Sequence, residues 1–97
     1  MAPGLMREFW TRHASVPRST WALGWDTPTP ETSSAGRHIS ARAVGHLGFT
    51  GTSLWIDLER DAHVILLTNR VHPRRDNEAI KALRPAVHDA VLEAFDA

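Results

Sequence analysis

Residues 44–70, VGHLGFTGTSLWIDLERDAHVILLTNR, constrain the fold of this chain more than any other stretch of its sequence. Two runs of strand-forming residues, 46–57 and 62–69, flank a polar turn at residues 58–61. This arrangement predicts a β-hairpin. The second run is almost continuously apolar, which favours a central strand covered on both faces. Asp57 and the charged residues of the turn are expected to keep the hairpin tip in water.

Patterns before the hairpin predict one helix, one strand and a loop. Apolar residues recur at helical spacing after Pro3 and predict a helix over residues 4–14. Strict alternation in WALGWD, residues 21–26, predicts a short strand with one buried side. Residues 27–37, TPTPETSSAGR, are rich in Pro, Ser, Thr and Gly without any period, so they are expected to form a loop.

After the hairpin, the sequence predicts an amphipathic terminal helix. Asp76 or Asn77 is expected to cap it, and Pro85 to kink it or split it in two. Its apolar positions are expected to lie on one buried stripe: Ile80, Leu83, Val87, Val91 and Phe95. The predicted fold class is therefore α+β, a three-stranded antiparallel sheet flanked by an N-terminal and a C-terminal helix.

Composition narrows the classes of protein to which the chain can belong. Its 97 residues fit a single domain, 1–97, with a small core. The 11 basic and 11 acidic residues cancel, which disfavours nucleic acid and anionic membranes as partners. The chain has no Cys, so disulfides and thiolate metal sites are excluded. It shows neither a membrane-span pattern nor a signal-peptide pattern, and a cytoplasmic location is expected.

Four short motifs occur in order along the chain: WALGWD, SSAGR, GHLGFTGTSLWID and VILLTNRVHP. Together they resemble the carboxy-terminal third of the serine β-lactamase and penicillin-binding-protein-like hydrolases, especially their esterase-like branch. The resemblance implies that His46, Leu47 and Gly48 take the place of a Lys-Thr-Gly or His-Thr-Gly triad on the strand beside the active site. In that role they would bind substrate, with Leu47 replacing the hydroxyl residue of the family.

The nucleophile expected of such a hydrolase is missing from this sequence. The family carries it in a Ser-x-x-Lys motif, but Lys81 is the only Lys here, and Glu78 lies three residues before it. No Tyr is present for the second catalytic element. The serine mechanism is thus excluded for this chain alone, which reads as a truncated carboxy-terminal part of a β-lactamase-like hydrolase. One interpretation is a non-catalytic remnant or subunit that needs an amino-terminal partner to supply the serine.

The other interpretation is a small metal-assisted hydrolase built from clustered histidines. If hairpin pairing continued past Asn69, His46 would face His72, with Cβ atoms about 4.5 to 5.5 Å apart. His38 or Asp76 could then complete a site for zinc or another divalent metal. Metal-bound water would attack an activated ester or phosphoester, with His46 as a catalytic residue. The same ligands could also come from two chains.

The resemblance also carries an expectation about assembly. Without the amino-terminal portion of the family's domain, a strand edge and an apolar face would be uncovered. A homo-oligomer, dimer or higher, that buries a surface of Trp21, Trp25 and Trp55 is therefore expected.

Overall fold

The computed structural model describes residues 2–12, 19–29, 32–72, 74, 76 and 78–97. Two helices and three strands are present in this part of the chain: α1 (Pro3–Phe9), β1 (Ala43–Leu47), β2 (Ser53–Asp57), β3 (Ala62–Leu66) and α2 (Ile80–Asp96). The strands form an antiparallel sheet in the order β1-β2-β3. The predicted α+β class with a three-stranded antiparallel sheet is confirmed, although β1 takes the place of the strand expected over residues 21–26.

The β2–β3 hairpin is the element that the sequence predicted best. Its pairs run from Asp57↔Ala62 to Ser53↔Leu66. The expected strand over residues 46–57 is wrong, because a turn divides it into β1 and β2. Within this turn Gly48 N donates to Thr52 O at 2.8 Å. Gly51 has a φ of +104°, a backbone conformation that favours glycine.

The expected strand over residues 21–26 is wrong as well. In the described chain this segment makes only isolated bridges, between Trp21 and Asp26 and between Asp26 and Gly45. Gly24 turns it back on itself with a φ of +74°. Trp21 is 47 % exposed, so the alternation of apolar residues does not mark a buried face.

β3 lies at the edge of the sheet rather than at its centre. Its residues alternate between half-buried and exposed, and Ile65 is 57 % exposed. The expectation of a strand covered on both faces is therefore wrong in this chain. The face of the sheet opposite Ile65 carries the side chains of β3 residues 62, 64 and 66 together with those of Ser53, Trp55 and Asp57.

The terminal helix α2 differs from its prediction in its start, its continuity and its buried face. It begins at Ile80 after Ala79, which makes no side-chain cap, so capping by Asp76 is wrong, and Asn77 lies outside the described residues. The helix continues unbroken through Pro85. Its buried residues are spaced by four and share only Ile80 with the apolar stripe expected: Ile80, Arg84, His88 and Leu92.

α1 ends at Phe9, earlier than predicted, and residues 13 and 14 of that prediction lie outside the described residues. Neither helix in the described part of the chain is long and apolar enough to cross a bilayer.

The core lies between the sheet and the segment that precedes β1. Trp55 is 1 % exposed and packs with Ala35, Ala43 and the half-buried Ile39. The expected oligomer surface is therefore wrong for Trp55, which the fold buries inside one chain.

The buried carboxylate of Asp57 fixes the hairpin tip, contrary to the expectation of a solvated side chain. Asp57 is 2 % exposed. Its carboxylate accepts bonds from Ser40 N, Ser40 Oγ and Arg60 Nη1 at 3.0, 2.9 and 2.6 Å. Burial alone would raise the pKa of Asp57, but the hydrogen bonds from Ser40 and Arg60 outweigh it and lower the pKa below its ordinary value.

Candidate active-site edge at His46

His46 lies near the end of β1, with an exposed side chain. It pairs with Leu54 of β2, whereas the neighbouring Ser53 bonds His88 of α2. Successive side chains of a strand point to opposite faces. His46 therefore projects from the face of the sheet opposite α2.

The imidazole of His46 has one ring nitrogen committed and the other free to accept. Nδ1 lies 2.8 Å from Leu47 O. Because a carbonyl oxygen only accepts, this contact assigns the proton of the neutral ring to Nδ1 and leaves Nε2 as an acceptor. Trp21 packs edge-on against the ring, with centroids 5.7 Å apart and planes at 62°. His46 can thus accept a proton or a hydrogen bond at the surface.

The open edge of β1 presents backbone groups beside His46. Gly45 N donates to Asp26 O at 2.9 Å, and Asp26 N donates to Gly45 O at 2.8 Å. Since backbone groups of a strand alternate in direction, the N–H and C=O of Leu47 face the same edge. Asp26 is itself held by Thr20 Oγ1, which donates to its carboxylate at 2.6 Å. The bridge therefore anchors the Trp21 segment next to β1.

Gly45 is required by close packing rather than by an unusual backbone angle. A Cβ atom at this position would lie closer than 3.0 Å to Leu54 O and to the ring of Trp55. The Trp55 indole packs directly on the backbone of β1, and only a residue without a side chain fits at Gly45.

The turn after Gly48 is held from two sides by arginines. Arg84 of α2 donates from Nη2 to Gly48 O and Thr52 O at 2.9 and 3.1 Å. Arg70 donates from Nε to Phe49 O at 2.7 Å, and its guanidinium lies 4.7 Å from the centroid of the Phe49 ring. Burial lowers the pKa of Arg84, and the nearby charge of Arg70 lowers it further. The backbone at Gly48 is thus fixed by contacts distant in sequence.

The predicted pairing of His46 with His72 is wrong. The turn at residues 48–52 places His46 on β1, which pairs only with β2 in this sheet, while His72 follows β3 at the other edge. His72 N bonds Asn69 O at 3.3 Å in a turn of its own. The geometric basis of the metal prediction therefore does not hold within one chain.

The other predicted metal ligands also lie apart from His46. His38 Nε2 lies 2.8 Å from Glu93 Oε1 of α2, on the opposite face of the sheet. Asp76 pairs with Arg74, whose Nη2 is 2.9 Å from Asp76 Oδ2. The described residues contain no group of three or more His, Asp or Glu side chains able to hold a metal ion.

Two residues that support this edge were not identified from the sequence as part of a site. The sequence pattern places Trp21 on a strand or at an oligomer surface. Its contact with His46 depends on the Asp26–Gly45 bridge, which periodicity does not reveal. Arg84 has one usable signal, since it follows the buried Ile80 by four residues and so lies on the same stripe of α2.

The chain is an α+β domain in which an antiparallel sheet packs on a terminal helix. An exposed histidine in a Gly-His-Leu-Gly motif lies at the edge of that sheet. The beta-lactamase family model matches residues 6–88, and the chain belongs to that family. A crystal structure of a beta-lactamase from Mycobacterium bovis has the same fold, with a TM-score of 0.80 and 23 % sequence identity. The comparison with curated proteins gives no match.

The match to the M. bovis protein covers 98 % of this chain but 38 % of that one. The chain thus spans well under half the length of the structure it resembles. The chain is therefore a β-lactamase-like member of a hydrolase family.

Proposed function

We propose that this chain forms the substrate-binding part of a β-lactamase-type serine hydrolase and that a segment outside this sequence supplies the nucleophilic serine. Through Nε2, His46 would accept a proton or a hydrogen bond from the nucleophile or from a donor group of an ester-like or amide-like substrate. The N–H of Leu47 would donate to the carbonyl oxygen of that substrate from the edge of β1. This function rests on the family and on one observation, the exposed His46 beside the outward-facing backbone of Leu47.

The state of the His46 ring supports this role. With the proton on Nδ1, the Nε2 atom is free to accept a hydrogen bond from a substrate or from the nucleophile. A lysine in the family's triad can only donate. His46 is therefore suited to receive a proton during acyl transfer as well as to hold the substrate.

Two uncharged surfaces support the need for a second segment. On α2, several exposed residues form an apolar outer face at helical spacing: Leu83, Ala86, Ala90, Val91 and Ala94. A helix that is apolar on both faces is normally buried on both. The edge strand β3 adds Ile65 and the following Leu67, which are 57 % and 77 % exposed.

A chimera tests the proposal. This chain would replace the matching 38 % of the M. bovis beta-lactamase, since the two superpose with a TM-score of 0.80. We expect the chimera to hydrolyse p-nitrophenyl acetate or a chromogenic β-lactam, and His46→Ala to reduce kcat/KM by about 100-fold. The isolated chain should hydrolyse neither.

The matched control is His63→Ala, because His63 is an exposed histidine of the edge strand β3. It should leave kcat/KM within about twofold. A folded chimera whose activity is the same with and without His46 would contradict the proposed role.

Metal-assisted hydrolysis, the second function predicted from the sequence, would require His46, His72, His38 and Asp76 to come together from two chains. The contacts within one chain do not favour that reading. Elemental analysis of the purified protein, with activity lost to a chelator and restored by zinc, would support it.

A further inference from the structure

A cavity of about 570 Å³ lies between α1, the start of β1 and the hairpin tip at Leu58. Arg42 and Ala43 line it at the beginning of β1, whereas His46 lies near the end of that strand. The cavity is thus distinct from the candidate active-site edge. Its volume is within the range of small-molecule sites, which is about 300 to 1,000 Å³.

The described charged residues that line the cavity are all basic. Arg7, Arg12 and Arg42 line it, and none of its described lining residues is acidic. In the part of the chain that the structure describes, neither Arg7 nor Arg42 forms an ion pair. The chain as a whole carries no net charge, so the three guanidinium groups concentrate positive potential at this place.

One of the three arginines is already held in position. Arg12 donates from Nε to Thr27 Oγ1 and from Nη2 to Pro28 O, both at 2.7 Å. These bonds join the end of the α1 region to the segment that bridges β1. They therefore fix the Arg12 side of the cavity, whereas no acidic side chain among the described residues pairs with Arg7 or Arg42.

Trp10 adds an aromatic ring to the same cavity. The residue is half-buried at the C-terminal end of α1. An indole provides a large apolar surface on which planar ligands stack, and guanidinium groups bind planar oxyanions by paired hydrogen bonds.

We propose that this cavity binds an aromatic small molecule carrying a phosphate or carboxylate group. Arg42 and Arg7 bind the oxyanion, and the ring of the ligand packs on Trp10. This site is independent of the serine and of the proposed hydrolase function.

Titration of the purified chain with phenyl phosphate, benzoate and inorganic phosphate tests the site. Calorimetry measures the affinity. The NMR signal of the Trp10 indole N–H shows whether the ligand binds in this cavity. Phenyl phosphate or benzoate should bind saturably and change the chemical shift of the Trp10 indole N–H. The preferred one of the two identifies the oxyanion, and inorganic phosphate should bind at least about tenfold more weakly, because it lacks the ring.

Arg42→Gln should weaken binding about tenfold or more, since it removes a charge-assisted bond. Arg74→Gln is the control, because Arg74 is an exposed arginine paired with Asp76 outside the cavity, and it should leave the affinity unchanged. If circular dichroism shows that Arg42→Gln does not fold, Arg7→Gln provides the same test. The proposal is overturned if neither aromatic anion binds, if inorganic phosphate binds as tightly, or if the folded arginine variant keeps full affinity.

Discussion

Arg84 Nη2 lies 2.9 Å from Gly48 O and links the terminal helix to the turn that ends the His46 strand. The same nitrogen donates to Thr52 O at 3.1 Å. Arg84 is 8 % exposed, so these bonds form where water has little access. The position of the His46 edge therefore depends on α2, although α2 lies on the opposite face of the sheet.

Arg84→Met should destabilise the chain by about 1 to 3 kcal/mol, because the carbonyls of Gly48 and Thr52 lose a buried donor. Chemical denaturation followed by circular dichroism measures the difference. Arg74→Met is the control, since Arg74 is exposed and lies outside this turn, and it should change the stability by less than about 0.5 kcal/mol. Equal stabilities of the two variants would show that the Arg84 contacts contribute nothing to folding.

Gly45→Ala should also destabilise the fold, by about 1 to 3 kcal/mol. The new methyl group would meet Leu54 O and the Trp55 ring at less than 3.0 Å, and a strand backbone cannot easily retreat. Gly4→Ala is a matched control, because its methyl group would meet nothing within 4 Å in α1. That substitution should be neutral or stabilising by up to about 1 kcal/mol, and a stable Gly45→Ala protein would argue against tight packing of Trp55 on β1.

The sequence predicted the elements that depend on local signals. The β2–β3 hairpin follows from a polar turn between strand-forming runs, and both pairing partners lie close in sequence. The break between β1 and β2 was not predicted, because it depends on the positive φ of Gly51 and on Arg84, which is 36 residues from Gly48. Periodicity alone cannot detect a contact of that separation.

The candidate site was predicted to a similar extent. The Gly-His-Leu-Gly motif identified His46 by resemblance, but its partners were missed. The partner assigned to it, His72, followed from treating residues 46–57 as one strand. Its real neighbour, Trp21, depends on the bridge between Asp26 and Gly45, which the sequence pattern does not reveal.

Asp57→Ala should destabilise the fold by about 1 to 3 kcal/mol, because several buried donors at the hairpin tip lose their acceptor. It would leave Ser40 and the backbone N–H groups of Glu59 and Arg60 without their acceptor, whereas the Arg60 guanidinium would keep its two bonds to the Asp96 carboxylate. Glu59→Ala, at an exposed position of the same turn, should cost less than about 0.5 kcal/mol. Urea denaturation of both variants distinguishes a buried anchor from an ordinary turn residue, and comparable losses would contradict the anchoring role.

The isolated chain should self-associate through the apolar outer face of α2. Leu83 and Val91 are 45 % and 42 % exposed on that face, so the double substitution Leu83→Lys and Val91→Lys should raise the dissociation constant about tenfold or more. Sedimentation velocity at micromolar concentration measures it. Leu5→Lys is the control, because Leu5 is 45 % exposed on α1. A wild-type chain that stays monomeric would contradict self-association through the outer face of α2.

The buried His88 should make the stability of the chain sensitive to acid. Its Nε2 lies 3.1 Å from Ser53 Oγ, and burial lowers the pKa of His88 below its ordinary value of 6.5. The folded state therefore holds His88 neutral, whereas the unfolded chain takes up a proton near pH 6.5. Stability contributed by this group is present above that pH and is lost as the pH falls toward the lowered pKa, at up to about 1.4 kcal/mol per pH unit.

Urea denaturation at pH 8, 7, 6 and 5 measures this dependence, and His88→Leu should flatten it. His63→Gln removes an exposed histidine of β3 and should retain the slope of the wild-type protein. A loss of stability between pH 6.5 and 5 that is abolished in the His88 variant and retained in the His63 variant assigns the effect to the buried ring. The same slope in both variants would place its origin elsewhere in the chain.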